Sequence, residues 1–308
     1  MHSVVHAGMM DTRLCRHHVP IDAQTRMVTL LGDPVEHSLS PLIHNTAFAA
    51  QDLNLIYTAT RVRPARVQEA VRGLLGLDFL GANVTVPHKQ TVIPYLHELS
   101  RCAKDVGAVN TIVCRHADGV LFGDNTDVGG FLAPLLGWTD RLRGMPMTIF
   151  GSGGAARAIA YALLTTFEPS RLTLAARRPE AAEKLASDLT PFDPEHVIAA
   201  QDLRSAREAV RQARLVVNAT PLGMHPDIGT TPWPQEDDFG ADHIVYDVVY
   251  NPRPTRLLRE AKRRGATPVG GLKMLVSQAA ASYAQWTGME MPLEQVRSVL
   301  RNLHGEGR

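Results

Sequence analysis

The sequence predicts an α/β fold in two parts, and three observations carry that prediction. The short apolar run Met147 to Phe150 ends in Gly151-Ser152-Gly153-Gly154, and helix formers follow from Ala155 to Thr166. A strand, a glycine turn and a helix in that order let the backbone approach an anion closely and turn the free N–H groups of a helix start toward it. Ala156 stands where the usual fingerprint has a third glycine, a place that needs only a small residue for helix–strand packing. Beyond that loop, short apolar runs alternate with helical patterns as far as Gly265, which is the signature of a parallel, doubly wound sheet. Two helical stretches then close the chain with no strand after them, so they have to pack on something earlier. The expected architecture is an open α/β domain, a doubly wound Rossmann-like dinucleotide-binding domain, and C-terminal helices returning to the first domain.

The strand after the glycine loop, Arg171 to Ala176, ends about where such folds read the ribose. A cofactor with a free 2′-hydroxyl calls for Asp or Glu there, and this chain offers Arg177 and Arg178. Two guanidinium forks suit a 2′-phosphate. Glu180 lies near enough to compete as a ribose acceptor, and two solvated arginines at a strand end are the plain alternative. NADP(H) is placed ahead of NAD(H).

A chain of 308 residues is long enough for two domains. Its 32 basic and 31 acidic side chains leave a net charge of +1, and no long basic run appears, so neither nucleic acid nor an anionic membrane is the expected partner. No apolar stretch approaches the ~20 residues that span a bilayer. Cys15, Cys102 and Cys114 are odd in number and scattered, which reads as free thiols in a reducing, cytoplasmic setting with neither a disulfide frame nor a metal site. Residues 1–26 fit no element and lack a signal-peptide core. Despite His17-His18 they read as a polar leader, poorly ordered or preceding the true start.

From Met27 the pattern is regular. Met27 to Gly32 reads as a strand, and Ser40-Pro41 opens a helix to about Ala50. Ser40 could simply cap that helix, or Ser38 and Ser40 could together hold a carboxylate at its positive end. Leu55 to Thr60 reads as a strand, Pro64 to Leu75 as a helix, and Phe79 to Val86 as a strand. That last strand puts Asn83 and Thr85 on one face, opposite Val84 and Val86. Pro87 ends it, so Lys89 can project over the crevice, although a lone loop lysine is usually only solvated. A helical stretch is expected from Gln90 to Val106, followed by a hairpin turning at Asp118-Gly119. Asp127 opens a helix expected from Val128 to Leu136, either as its N-cap or as half of an acid–base pair. Later strands are expected at Val197–Ala199, Leu215–Asn218 and Ile244–Val249, and helices at Glu180–Leu189, Leu203–Ala213 and Thr255–Arg264 with Gly265 as C-cap. Asn218 to Met224 should line the cofactor cleft. The closing helices are expected from Gly271 to Trp286 and from Pro292 to Leu303.

Eight motifs then stand in one order: Ser38-Leu-Ser40-Pro41, Asn83 to Lys89, Gly107 to Thr111, Gly123 to Asp127, Gly151 to Arg157, Asn218-Ala-Thr220, Tyr246 to Tyr250 and Met274 to Gln278. From Met27 to the end the chain resembles the shikimate/quinate dehydrogenase family. The resemblance implies NADP(H)-dependent, reversible reduction of 3-dehydroshikimate to shikimate, with Lys89 and Asp127 as the catalytic pair. It implies substrate binding by Ser38, Ser40, Asn83, Thr85, Asn110, Tyr250 and Gln278. The cofactor is assigned to Gly151, Ser152, Gly153, Gly154 and Ala155, to Ala176, Arg177 and Arg178, and to Asn218, Thr220, Val248, Gly271 and Met274. The family commonly has Asn before the cofactor arginine and Ser or Thr after it, where this chain has Ala176 and Arg178. Quinate users often carry Thr at the second hydroxyl position and an acidic cofactor reader, so Ser40 and Arg177 point to shikimate. The implied domains are 27–126 with 271–308 for substrate and 127–270 for the dinucleotide, with a homodimer as the candidate assembly. A non-catalytic metabolite sensor on the same scaffold is the alternative of another class, and the presence of both Lys89 and Asp127 argues against it.

Overall fold

The computed structural model describes residues 21–303. In chain order the elements are β1 (Arg26–Gly32), α1 (Ser40–Ala50), β2 (Leu55–Arg61), α2 (Val67–Gly76), β3 (Gly81–Val84), β4 (Glu98–Leu99), α3 (Arg101–Val106), β5 (Thr111–Arg115), β6 (Val120–Asp124), α4 (Asp127–Leu132) and α5 (Thr139–Leu142). Then follow β7 (Met147–Phe150), α6 (Gly154–Phe167), β8 (Leu172–Ala176), α7 (Pro179–Asp188), β9 (Ile198–Asp202), α8 (Arg207–Gln212), β10 (Leu215–Asn218), β11 (Ile244–Asp247), α9 (Arg256–Arg263), β12 (Thr267–Gly270), α10 (Leu272–Thr287) and α11 (Leu293–Asn302).

Two six-stranded sheets organise them. The second has the order β12-β11-β10-β7-β8-β9, and every pair in it is parallel. The order reverses at β7, the strand that feeds the glycine turn, which is where such a sheet opens a crevice. The first sheet has the order β2-β1-β3-β5-β6-β4; β1 pairs parallel with β2 and β3, and β5 runs antiparallel to both β3 and β6. Helices cover both faces of each sheet. Val28, Phe48, Tyr57, Tyr283 and Trp286 pack on one face of the first, and Val71, Leu74 and Ile112 on the other. The second sheet is enclosed by the cluster around Ile159, Leu163 and Leu174 and by the one around Phe150, Val216 and Trp233. The strandless closing helices return as expected: Tyr283 and Trp286 of α10, and Val296 and Leu300 of α11, join the core of the first sheet.

Several elements differ from expectation for visible reasons. The helix expected over Gln90–Val106 breaks into a 3-10 turn at Ile93–Tyr95, the two-residue β4 and the short α3. Pro94 lacks the N–H a helix interior needs, and Ser100 starts α3 afresh, its hydroxyl accepting from the Ala103 N–H. The helix expected to Leu136 stops as α4 at Leu132, just before Pro134. The one expected over Leu203–Ala213 divides into a 3-10 turn and α8. Strand β11 ends at Asp247, two residues early, because the Asp247 carboxylate takes the Val249 N–H. Strand β12 was not expected; it is a four-residue edge strand holding Pro268, which only an edge tolerates. Residue Arg26 already begins β1, and Asp22 and Thr25 bond Asn54, so this end of the expected leader is fastened beside β2. Residues 1–20 of that leader, with His17, His18 and Cys15, lie outside the described residues.

Candidate active site

Lysine 89 stands on a loop that its own backbone pins. After β3, the Thr85 N–H donates to the Leu31 carbonyl and the His88 N–H to the Thr85 carbonyl, while the Lys89 carbonyl accepts from the Val109 N–H. The His88 ring is buried, with Nε2 2.6 Å from the Val62 carbonyl, so the side chain before the lysine is an anchor. Lys89 Nζ lies 2.5 Å from Asp127 Oδ2, with side-chain exposures of 13% and 7%. Asp127 is the first residue of α4; the N-cap is Thr126, and the Asp127 carboxylate makes no capping bond. Its second oxygen, Oδ1, accepts from Asn110 Nδ2 at 2.9 Å. An ion pair this far from water is coupled strongly, and removing either member strands the other.

A polar belt continues from there. Asn110 Nδ2 also donates to Thr126 Oγ1 at 2.9 Å and Gln278 Oε1 at 3.3 Å, and its Oδ1 accepts the Thr126 N–H at 2.8 Å. Asn83 donates to the Asn110 carbonyl at 3.0 Å and Ser282 Oγ at 3.1 Å, and its Oδ1 accepts from the Tyr57 hydroxyl at 2.8 Å. The sequence reading missed Tyr57, Thr111, Thr126 and Ser282. Ser282 had a signal: it lies four residues after Gln278 on α10, hence on the same helix face. Tyr57 lies on another strand, and nothing in its own neighbourhood marked it.

At the other end of this belt, Ser40 is buried and does not cap α1, whose N-cap is Leu39. The capping reading therefore fails, and the Ser40 N–H instead donates to Ser38 Oγ at 3.2 Å. Ser38 lies against the Tyr250 hydroxyl, and burial, opposed by the Ser38 and Leu39 contacts, holds that phenol above its usual pKa. Thr85 is half-buried beside Gly32, where a Cβ would fall 2.3 Å from Thr85 Cγ2.

The glycine turn faces the same groove. Gly151 has φ +112°, and a Cβ there would meet Thr220 Cγ2 at 3.1 Å. Gly153 is the N-cap of α6 and offers no side chain to its first turn, so these N–H groups have no capping partner; the fourteen-residue helix includes Ala155 in that turn. Ser152 is half-buried. A Cβ on Gly154 would stand 3.1 Å from Lys89 Cβ, so the helix start and the lysine loop touch. Beyond the buried Ala176, Arg177 and Arg178 are exposed and form no ion pair among the described residues. Thr220 and Val248 are half-buried at the strand ends. Asn218, by contrast, is fully buried, and its amide is consumed by Asp247, Leu222 and Thr220. It shapes the wall from behind. Gly271 admits no side chain, a Cβ lying 2.1 Å from the Val248 carbonyl oxygen, and Met274 packs into the core beneath the second sheet.

The chain resembles known proteins over most of its length. Residues 30–112 match the family described as the shikimate dehydrogenase substrate binding domain, and residues 271–301 the shikimate 5′-dehydrogenase C-terminal domain. The chain is 59% identical over 285 residues to the shikimate dehydrogenase (NADP(+)) of Salinibacter ruber, covering 92% of this chain and 99% of that one. A crystal structure of a shikimate dehydrogenase in complex with NADP+ superposes with a TM-score of 0.82 at 35% identity, over 92% of this chain and 97% of the other. The shikimate 5-dehydrogenase of Thermus thermophilus, solved in complex with NADP(H) and shikimate, gives 0.77 at 34% identity, over 90% and 99%.

Proposed function

The chain belongs to the shikimate dehydrogenase family, and on that premise we propose that Lys89 and Asp127 carry its NADP(H)-dependent, reversible reduction of 3-dehydroshikimate to shikimate. The observation that carries the proposal is the 2.5 Å ion pair between them, at the meeting of the first sheet's loops with the start of α6.

The residues present fit the cofactor. The uncapped start of α6 and the glycine at +112° leave room and N–H groups for a pyrophosphate, and two unpaired guanidiniums stand ready for the 2′-phosphate. Bound NADPH supplies the hydride at the ketone. As charge develops on the ketone oxygen, the Lys89 ammonium stabilises it and delivers its proton there. In the oxidative direction the neutral lysine takes that proton back. Asp127, fixed by Asn110, holds the ammonium in line. Ser38, Ser40 and Tyr250 are assigned to the carboxylate, and Asn83, Thr85, Asn110 and Gln278 to the ring hydroxyls, where unmatched buried polar groups penalise the wrong ring. In this reading residues 27–126 with 271–308 form the substrate domain and 127–270 the cofactor domain.

Replacing Lys89 by Ala is expected to lower kcat about 10²–10⁴-fold while NADPH still binds. Near-normal turnover would return the lysine to a structural ion pair. Asp127→Asn is expected to lose kcat as well, and comparing kcat/KM for shikimate and quinate tests the substrate. No helix among the described residues is long and apolar enough to cross a membrane. The cytoplasmic location and the homodimer belong to the same proposal, tested by cell fractionation and light scattering.

A further inference from the structure

Asp247 is the last residue of β11, fully buried, and has no cation within ion-pair distance among the described residues. Three donors converge on its carboxylate. Oδ1 accepts from Asn218 Nδ2 at 2.9 Å and from the Val249 N–H at 3.0 Å, and Oδ2 from Thr255 Oγ1 at 2.6 Å. Each donor controls a different piece of the cleft wall. Asn218 ends β10, and its Oδ1 holds the Thr220 N–H at 2.9 Å and the Thr220 hydroxyl at 2.7 Å. Val249 and Thr255 bracket the loop that carries Tyr250 to Ser38, and Thr255 is also the N-cap of α9. The two loops meet again where the His225 N–H donates to the Asn251 carbonyl. Behind the strand end Gly271 leaves no slack, since a Cβ there would lie 3.0 Å from the Asp247 carbonyl oxygen.

We propose that Asp247 is a positioning residue: its carboxylate holds the Thr220 loop and the Tyr250 loop in one register, so a single buried group sets both the cofactor wall and the substrate wall of the cleft. All three partners donate, and a carboxylate is the small side chain that only accepts. Asparagine would keep the shape but turn an N–H₂ toward one of the donors. Burial, opposed by those three hydrogen bonds, pushes the Asp247 carboxyl up to about 6, so the charge is held at a stability disadvantage.

The inference rests on the cleft's assignment to NADP(H) and shikimate, so the wild-type enzyme is assayed alongside. For Asp247→Asn, KM for NADP and KM for shikimate are expected to rise together, each about 10-fold or more, with kcat changed by less than about threefold. Thr255→Val, which removes the shortest of the three bonds, is expected to move both constants the same way, and Thr255→Ser to restore them. The kinetics are read on protein shown folded by its thermal transition, and the Thr255 pair keeps the test open if Asp247→Asn does not fold. Both KM values within twofold of wild type, a change in only one, or a fall confined to kcat would each overturn the proposal. An inactive wild type would instead overturn the assignment of the cleft.

Discussion

His44 shows what a single buried side chain can do to a stability profile without entering the chemistry. It is fully buried on α1, stacks on Tyr57 at 4.4 Å between ring centroids, and neither ring nitrogen has a hydrogen-bond partner. Burial alone lowers its pKa from 6.5 to about 3. The unfolded chain therefore takes up a proton that the folded one refuses. The stability His44 contributes is full above pH 6.5 and is lost as the pH falls toward 3, at up to about 1.4 kcal/mol per pH unit. Replacing His44 by Phe should flatten the acid limb of a Tm-versus-pH curve between pH 6.5 and about 4; an unchanged limb would assign it to other groups. At the same scale, Arg177 and Arg178 are free to meet a phosphate. The double change to Ala is expected to raise KM for NADPH about 10- to 100-fold and leave NADH little affected, which steady-state kinetics with both cofactors would check.

Among the elements, the tightest joint is between β11 and α10. Gly271 lies so close to the Val248 carbonyl that even a methyl group has no room, and the obstacle is backbone. Gly271→Ala is therefore expected to cost about 1–3 kcal/mol, measured by denaturant unfolding, and to weaken cofactor binding because Val248 must shift. Helices and strands with a clear period were readable in advance; those that turned on a single bond were not. Ser100 capping α3, Asp247 ending β11 and Pro268 at a sheet edge each settle a boundary through one side-chain bond or a position in the sheet. Periodicity carries no record of such details.

Across the whole molecule, the two sheets are joined by more than the chain that links them. Val106 and Ala108 pack on Ala158 of α6, and the Tyr161 hydroxyl of α6 donates to Asp105 Oδ2 of α3 at 3.3 Å. Arg157, within the glycine motif, is not offered to the cleft. Its guanidinium is buried, pairs with Asp188 and donates to the Val106 carbonyl at 3.4 Å. Arg157→Met should lower stability by about 1–2 kcal/mol, seen as a drop in Tm: the Val106 carbonyl loses its donor, whereas Asp188 is exposed enough for water to replace the arginine, and NADP specificity stays unchanged. A switch toward NADH would mean the side chain reads the cofactor after all.

Taken by itself, the amino-acid order determined the two-part α/β plan, the glycine turn, the return of the last helices and the candidate residues on each strand end. Those follow from local rules: the hydrophobic period, glycine and proline geometry, and motif spacing all act within a few residues. Only the tertiary structure decided that Lys89 meets Asp127, that Ser40 bonds Ser38 and caps nothing, that Tyr57 and Ser282 both bond Asn83, and that Asn218 is buried against Asp247. All of these but the local Ser38–Ser40 bond depend on where separate strands and helices come to rest against one another. The Tyr57–Asn83 hydrogen bond, between residues 26 positions apart, leaves no mark on the residues around Tyr57.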